Sequence, residues 1–280
     1  MYRYYSARPL LSSPRSFFRD LLNELLTSRE LAFRLAVRDI KAQYKQSFLG
    51  IASLFIVPLI TAATWIYLSG VLFKSTSDGA PSTPVFVFFG TIIWSIFSDS
   101  VLLPINQINL NKTLLARVSF PREAIILSCF IQGIFGALVK SAILIALSLF
   151  LGQSFSLLSF IFVPVVILLL ILPGSIIGIF VSPFSALYTD VAKLTPLILG
   201  IFMYLNPVVF AFPPGSSAYR LSLLNPIAYI INYSRDVFLM TAAFPSLQVV
   251  VSSLIFLLVF SVLWVFYRLS IVHVIARIPS

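Results

Sequence analysis

The sequence has 280 residues, of which 59% are hydrophobic and only 10% are charged, and its mean hydropathy is +1.03. Soluble domains carry about 25% charged residues, so this composition excludes a soluble globular protein and indicates a polytopic membrane protein. The net charge of +10 does not indicate nucleic-acid binding, because nine of the nineteen Lys and Arg residues precede the first hydrophobic segment, the bias that orients membrane proteins. A single cysteine, Cys129, and a single histidine, His273, leave no disulfide within the chain and no Cys- or His-based metal cluster to propose.

The N-terminal residues, 1–28, lack the apolar core and cleavage site of a signal peptide, so we expect a retained cytosolic tail. Residues 29–47 have the periodicity of an amphipathic helix that lies in the membrane interface. One stripe of this helix carries four cations, Arg34, Arg38, Lys41 and Lys45. A neighbouring apolar stripe carries Phe33, Val37, Ile40, Tyr44 and Phe48. A generic basic flank that only orients the next span explains the pattern equally well.

Six segments are long and apolar enough to span a membrane, at about 50–73, 84–105, 124–151, 157–181, 191–211 and 247–267. With a cytosolic N-terminus, fifteen Lys and Arg residues lie on the cytosolic side and three on the outer side. This imbalance predicts that both termini are cytosolic.

Two ionisable residues, Asp99 and Lys140, lie inside predicted spans. A charge near the bilayer centre costs about 2.5 to 3.5 kcal/mol on the insertion scale unless it faces protein or water. The two spans are consecutive and antiparallel, so the side chains could pair, although their depths differ by several ångströms and Lys140 would have to snorkel. We expect an ion pair or a solvated cavity, with a substrate contact and proton coupling as alternatives.

The connection between the second and third predicted spans, residues 112–123, combines a short helix-compatible piece with Phe120 flanked by cations. Pro121 can start the next helix, and Glu123 favours the positive end of its dipole. The connection is interpreted either as a plain capped helix start or as a knob that enters the groove of a partner protein.

The segment before the last span, residues 214–240, is too apolar for an exposed loop, yet Arg220, Arg235 and Pro226 argue against a simple span. A re-entrant pair of short helices that turns at Asn225-Pro226 explains both features, and one longer interfacial helix is the alternative. The predicted fold class is therefore an all-α integral membrane protein. It has six transmembrane helices, an N-terminal amphipathic interfacial helix and a re-entrant helix pair before the last span.

Several segments recur here in the order typical of one family: RDIKAQYKQSFLG, WSIFSDS, NQINLNKTLL, VSFPRE, YTDVAKLTPLILGIFMYLNPVVF and LNPIAYIINYSRDVFL. From about Glu30 to Leu239 the chain resembles the permease subunits of polysaccharide-exporting ABC transporters, in the branch that exports O-antigen, capsule and teichoic acid. The N-terminal tail and the last span match only in character. The resemblance implies that residues 29–280 form a single permease domain.

The resemblance also implies partners and a location. Two copies of the permease would pair as a homodimer with two cytosolic ATPase subunits in the bacterial cytoplasmic (inner) membrane. The complex would export a polysaccharide, first of all O-antigen, that is linked to a polyprenyl diphosphate lipid. The permease would have no catalytic residues and no cofactor of its own, and ATP and Mg would bind to the ATPase. Membrane lipids would be further partners, and nucleic acid would not.

Four groups of residues receive roles from this resemblance. The helix that couples to the ATPase would contain Lys112, Leu114, Leu115, Arg117, Val118, Ser119, Phe120, Pro121, Arg122 and Glu123. The gate at head-group entry would contain Arg34, Arg38, Lys41, Tyr44 and Lys45. The channel would be lined by Phe55, Trp65, Tyr67, Asp99, Phe202, Tyr204 and Phe210, because aromatic faces stack on the C–H faces of sugar rings. The periplasmic exit would contain Arg220, Asn225, Pro226, Tyr229 and Arg235.

Two other functions remain open on the sequence alone. One is an ABC exporter permease for drugs, haem or small lipids. The other is a polytopic transferase that acts on lipid-linked sugars, which would need a cluster of Asp, Glu or His at one membrane face. The nine Asp and Glu residues are scattered along the chain instead.

Overall fold

The computed structural model describes residues 14–45, 52, 56, 59–60, 63–64, 67, 83–112, 115, 122–153, 156–212, 215–241 and 244–277. Within these ranges all regular structure is helical, which confirms the all-α class. The helices are α1 (Pro14–Lys45), α2 (Thr83–Leu110), α3 (Arg122–Phe150), α4 (Leu157–Leu187), α5 (Thr189–Tyr204), α6 (Ser217–Leu223), α7 (Pro226–Phe238) and α8 (Leu247–Arg277).

Four of the predicted spans are helices that are long and apolar enough to cross a membrane. These stretches are Val85–Leu110, Glu123–Phe150, Leu157–Leu187 and Leu247–Tyr267. Most of the first predicted span, 50–73, lies outside the described residues. The fifth predicted span, 191–211, overlaps the 16-residue helix α5, which ends at Tyr204 and is shorter than the roughly 20 residues that a span needs. The count of six spans stays a prediction.

Helix α2 lies at the centre of the bundle and packs against α4 more extensively than any other two described helices pack together. Two glycines of α4 allow this contact. A Cβ atom at Gly174 would lie 2.6 Å from the carbonyl oxygen of Phe97. A Cβ atom at Gly178 would overlap the carbonyl oxygen of Val101. Small residues let helix backbones approach closely in membrane proteins, where packing rather than water exclusion holds helices together.

The short helices α6 and α7 are separated at Asn225, where the sequence predicts a break. The Asn225 side chain caps α7 by accepting a hydrogen bond from the backbone N–H of Ile227 at 3.0 Å, and Pro226 occupies the first turn. Helix α7 is mostly buried, with eight of its thirteen residues inside the protein, and it packs against α2, α4 and α8. Entry of this pair into the outer leaflet stays a prediction.

Helix α1 is continuous from Pro14 to Lys45 and packs along α3. The face that packs is a stripe of small residues, Ser28, Ala32 and Ala36, each less than 4% exposed. Phe33, on the predicted apolar stripe, is 59% exposed. Val37 and Ile40, on the same predicted stripe, are half-buried. The sequence therefore did not reveal the small-residue stripe of α1 that faces the protein.

Candidate functional site

The four cations of the predicted gate lie on the exposed side of α1. Nη2 of Arg34 is 2.6 Å from a carboxylate oxygen of Glu30, and Nε of Arg38 is 2.7 Å from one of Asp39. Lys41 and Lys45 are exposed, and Tyr44 is helical with a side chain outside the described part. The Arg34–Glu30 pair is exposed at both ends. Exposed ion pairs contribute only about 0 to 1 kcal/mol, so this pair leaves Arg34 free to exchange partners. The gate role of this stripe stays a prediction.

The predicted coupling segment is only partly described. Leu115 and Glu123 are buried, Lys112 is half-buried, and Arg122 begins α3. Leu115 belongs to a cluster with Ile108 of α2 and with Ile125 and Ile126 of α3. The remaining predicted residues lie outside the described part, namely Leu114, Arg117, Val118, Ser119, Phe120 and Pro121.

A chain of buried amides joins α2 and α3 beside this connection. The Asn111 side-chain amide donates to Oε1 of Gln107 at 3.1 Å, and Gln107 donates to Oε1 of Gln132 at 3.2 Å. Gln132 donates in turn to the hydroxyl of Ser128 at 3.1 Å. Inter-helical hydrogen bonds of this kind hold membrane helices together. The sequence signal was the i, i+4 spacing of the polar residues on each helix, which the sequence analysis did not use.

The two ionisable side chains inside the bundle form an ion pair. Nζ of Lys140 lies 2.6 Å from Oδ2 of Asp99, which confirms that they can pair despite the difference in depth. The side chain of Lys140 is only 5% exposed, whereas that of Asp99 is 54% exposed. The pair therefore has a buried positive end and an open negative end.

Arg235 of α7 is buried and holds the turn that follows α5. Its Nη2 donates to the carbonyl oxygens of Pro207 at 2.7 Å and Val208 at 3.2 Å, and its Nη1 donates to Oδ1 of Asn232 at 3.3 Å. The guanidinium carbon lies 3.6 Å from the centre of the Phe86 ring on α2, a cation–π contact. These contacts place Arg235 inside the helical bundle. Its predicted contact with substrate at the exit is untested.

The turn after α5 needs the hydrogen bonds from Arg235 because the helix ends at Tyr204. Beyond that residue the backbone carbonyls no longer have helical N–H partners. Asn206 supplies a second link, since its Oδ1 accepts from the Asn225 amide at 2.9 Å while its own amide donates to Phe202 O at 2.8 Å. Gly90 on α2 makes room for the turn: a Cβ there would overlap the Val208 carbonyl oxygen and lie 2.7 Å from Nη2 of Arg235. In a bilayer, irregular backbone is tolerated only where protein or water satisfies it.

The predicted channel aromatics lie in different environments. Phe202 and Tyr204 are 48% and 43% exposed, Tyr67 is 75% exposed, and Phe210 packs partly buried against the core. Phe55 and Trp65 lie outside the described residues. Phe202 also lines an apolar cavity of about 370 Å³ between α2, α4, α5 and α7, together with Trp94, Phe97, Val181, Ile198 and Ile227.

The remaining predicted exit residues lie near the α6–α7 break. Arg220 is exposed, and the Tyr229 hydroxyl donates to the carbonyl oxygen of Leu223 at 2.8 Å. Asn225 and Pro226 form the start of α7 described above. This contact and the Asn206–Asn225 bond join α6, α7 and the end of α5 into one polar cluster.

Long apolar helices around a mostly buried α7 define a multi-pass membrane protein. The model of the ABC-2 type transporter family matches residues 30–239, so the chain belongs to that family. The chain is 24% identical over 221 residues to the O-antigen export system permease protein RfbA of Myxococcus xanthus, a match that covers 78% of this chain and 84% of that protein. These findings confirm the resemblance to permeases of polysaccharide-exporting ABC transporters.

Proposed function

We propose that this chain is the membrane subunit of an ATP-driven exporter of polyprenyl-diphosphate-linked polysaccharide, with O-antigen as the first candidate polymer. The observation that carries the proposal is the match to an O-antigen export permease over 84% of that protein's length. Two copies would form a homodimer with two cytosolic ATPase subunits, and ATP and Mg would bind only to those subunits. A role in lipopolysaccharide assembly follows from this substrate.

The proposed topology places six spans in the bacterial cytoplasmic membrane with both termini in the cytosol. The cation distribution supports this orientation, since fifteen Lys and Arg residues then lie on the cytosolic side. Helices α6 and α7 would enter the outer leaflet and fill the depth that the short helix α5 leaves. The burial of α7 and the hydrogen bonds from Arg235 support this arrangement, because they satisfy the backbone beyond α5 within the bundle.

The energy of ATP hydrolysis would enter through residues 112–123, which would dock into the ATPase. The amide chain from Asn111 to Ser128 ties α2 to α3 beside this connection. A push on the connection would therefore move both helices together. The exposed Arg34, Lys41 and Lys45 of α1 would bind the diphosphate head group, because charged hydrogen bonds to phosphate are strong.

The polymer would pass between the two permeases along exposed aromatic side chains. Phe202 and Tyr204 of α5 suit this role because both are partly exposed and aromatic faces contact sugar rings without requiring one hydroxyl pattern. A long chain could therefore slide past them without one strong binding position.

Co-purification with the partner ATPase tests the assembly. We expect a complex of two permeases and two ATPases from co-expressed wild-type proteins, and we expect Phe120→Asp to abolish docking because it places a charge in an apolar contact. Tyr188→Asp is the matched control: Tyr188 is exposed at the α4–α5 junction, also predicted to be cytosolic, and its side chain makes no capping hydrogen bond to α5. Intact docking of Phe120→Asp would contradict the coupling assignment.

A further inference from the structure

The apolar cavity beside α5 is elongated and follows this helix. Half of its lining residues belong to α5, from Val191 to Phe202, a stretch of about 16 Å along the helix axis. This length is close to half of the roughly 30 Å hydrocarbon core, which is the thickness of one leaflet. The other lining residues come from α2, α4 and α7, namely Trp94, Phe97, Val101, Ile177, Val181 and Ile227.

The ends of the helices fix the depth of the cavity in the membrane. The Asn109 amide donates to Oγ of Ser185 at 3.1 Å, so the C-terminal ends of α2 and α4 lie side by side. Helix α5 starts two residues after α4 ends, and Val191 therefore lies near the cytosolic surface in the proposed topology. Trp94 lies sixteen residues before the end of α2, about 24 Å away. The cavity therefore runs from the cytosolic surface past the middle of the bilayer.

The chemistry of the cavity suits a hydrocarbon chain. Its lining side chains are apolar or aromatic except for Thr195, whose hydroxyl donates to the carbonyl oxygen of Val191 at 2.7 Å. An apolar cavity stays dry, and lining atoms without a neighbour lose dispersion contacts. The cavity opens along α5, where Leu194 and Ile198 line it and are about half exposed. A lipid chain can therefore enter from the bilayer.

Two charged residues lie at the cytosolic end of the cavity. Asp190 and Lys193 are the only Asp, Glu, Lys or Arg residues in the sequence from 156 to 212, and both are exposed in the first turns of α5. Residues three apart are neighbours on a helix surface, yet no ion pair joins these two within the described part of the chain. A carboxylate beside an ammonium is complementary to a head group that carries an ammonium beside a phosphate.

We propose that the cavity binds one acyl chain of a phosphatidylethanolamine, with the lipid phosphate at Lys193 and the lipid ammonium at Asp190. The assignment to the cytosolic leaflet rests on the proposed topology. Lysine forms strong charged hydrogen bonds to phosphate, and its apolar stem can lie along the lipid while the ammonium reaches the head group. The bound chain fills the space between α5 and the rest of the bundle, and so supports a helix with only three buried residues.

The head group separates this occupant from other lipids. Phosphatidylglycerol and a polyprenyl diphosphate have no ammonium for Asp190, and the trimethylammonium of phosphatidylcholine has no N–H to donate. The proposed site therefore prefers phosphatidylethanolamine to lipids with the same chains.

Quenching of Trp94 fluorescence by lipids with brominated acyl chains tests the site. Bromine quenches tryptophan only at close range, and Trp94 is 5% exposed, so surrounding lipid reaches it poorly. The other two tryptophans are removed by Trp65→Phe and Trp264→Phe. The full-length permease is reconstituted in phosphatidylglycerol vesicles, and brominated phosphatidylethanolamine is added in increasing amounts. Brominated phosphatidylcholine and brominated phosphatidylglycerol are the head-group controls.

We expect phosphatidylethanolamine to reach half-maximal quenching at a fraction about threefold lower than either control, the effect of one charged contact at an exposed position. Asp190→Asn should abolish this preference, and Lys193→Met should raise the required fraction of every lipid about threefold. Equal quenching by the three lipids would overturn the head-group assignment. Absence of quenching by all of them would overturn the site. Reversal of quenching by unbrominated polyprenyl phosphate would assign the cavity to a prenyl chain and overturn the phospholipid.

A matched pair of substitutions on α5 tests the position of the chain. Leu199 lines the cavity and is 8% exposed, whereas Leu197 is 65% exposed and does not line it. Leu199→Phe should reduce the maximal quenching of Trp94, because the larger ring occupies the cavity, and Leu197→Phe should leave it unchanged. Equal quenching in the two variants would contradict the position. The head-group titration decides if Leu199→Phe does not fold.

Native mass spectrometry of the wild-type permease provides a second readout that needs no tryptophan substitution. We expect a phosphatidylethanolamine to stay bound to each chain and to be lost from Lys193→Met at lower collision energy. Equal retention of phosphatidylglycerol would overturn the head-group assignment. Neither readout requires transport, so a failure of the proposed exporter function would leave this site standing.

Discussion

Arg235 and Lys140 are both buried cations in the helical bundle, but their partners differ. Arg235 donates to two backbone carbonyls and one side chain and stacks on a ring, so its charge is enclosed. Lys140 has one carboxylate partner, and that partner reaches the surface. The enclosed contacts of Arg235 hold parts of the fold together. The Lys140–Asp99 pair instead links the buried interior to the protein surface. The difference separates a cation that the fold encloses from one whose partner reaches the surface.

Replacing Arg235 should have the largest effect. Arg235→Met removes the donors to Pro207 and Val208 and leaves their carbonyls unpaired inside the protein, which we expect to destabilise the fold by about 4 kcal/mol. Arg235→Lys should recover only part of this loss, because a lysine cannot donate in the fork geometry of a guanidinium. Thermal unfolding of the purified permease in detergent measures both. A midpoint for Arg235→Met equal to that of the wild type would contradict the enclosed contacts of Arg235.

The two single variants of the ion pair should differ in size. Asp99→Asn leaves the ammonium of Lys140 buried without a counter-charge, and we expect a loss of about 3 kcal/mol. Lys140→Met leaves Asp99 at a partly exposed position where water can solvate it, so the loss should be smaller. Thermal unfolding of the two variants in detergent measures both losses of stability. Equal losses would show that both ends of the ion pair are equally enclosed.

Replacing Gly90 should have the smallest destabilising effect of the three, and Gly136 offers a matched control. Gly90→Ala should cost about 2 kcal/mol, because the added methyl overlaps the Val208 carbonyl in a packed region. Gly136→Ala has no neighbouring atom within 4 Å of the added Cβ, so it should cause no loss, and the helix propensity of alanine should add up to about 1 kcal/mol of stability. If both variants unfold at the wild-type temperature, the turn after α5 does not pack against α2 as described.

Part of this fold could be predicted from the sequence. Hydropathy located the spans that became α2, α3, α4 and α8, because about 20 apolar residues form a signal that needs no tertiary information. Asn225-Pro226 marked the start of α7 through local chemistry, since asparagine caps a helix and proline favours its first turn. Both signals lie within a few residues of the feature they predict.

The early end of α5 was not predicted because residues 205–211 are apolar except for Asn206 and continue the hydropathy of a span. The local signal was Asn206-Pro207, since a residue before proline is disfavoured in a helix. The partners of that turn, Arg235 and Gly90, are distant in sequence and come together only in the folded chain. The small-residue stripe of α1 was also not predicted, because its packing partner, α3, is distant in sequence. Small residues indicate a packing face only when the opposing helix is known.

The central claim is that this chain exports a lipid-linked polysaccharide when its partner hydrolyses ATP. The most direct measurement uses inverted membrane vesicles that contain the assembled complex and the lipid-linked glycan, probed with a lectin that cannot cross the membrane. We predict that ATP makes the glycan inaccessible to the lectin, because export carries it into the vesicle lumen, and that a hydrolysis-deficient ATPase prevents this. An assembled complex that hydrolyses ATP and leaves the glycan fully accessible would contradict the account.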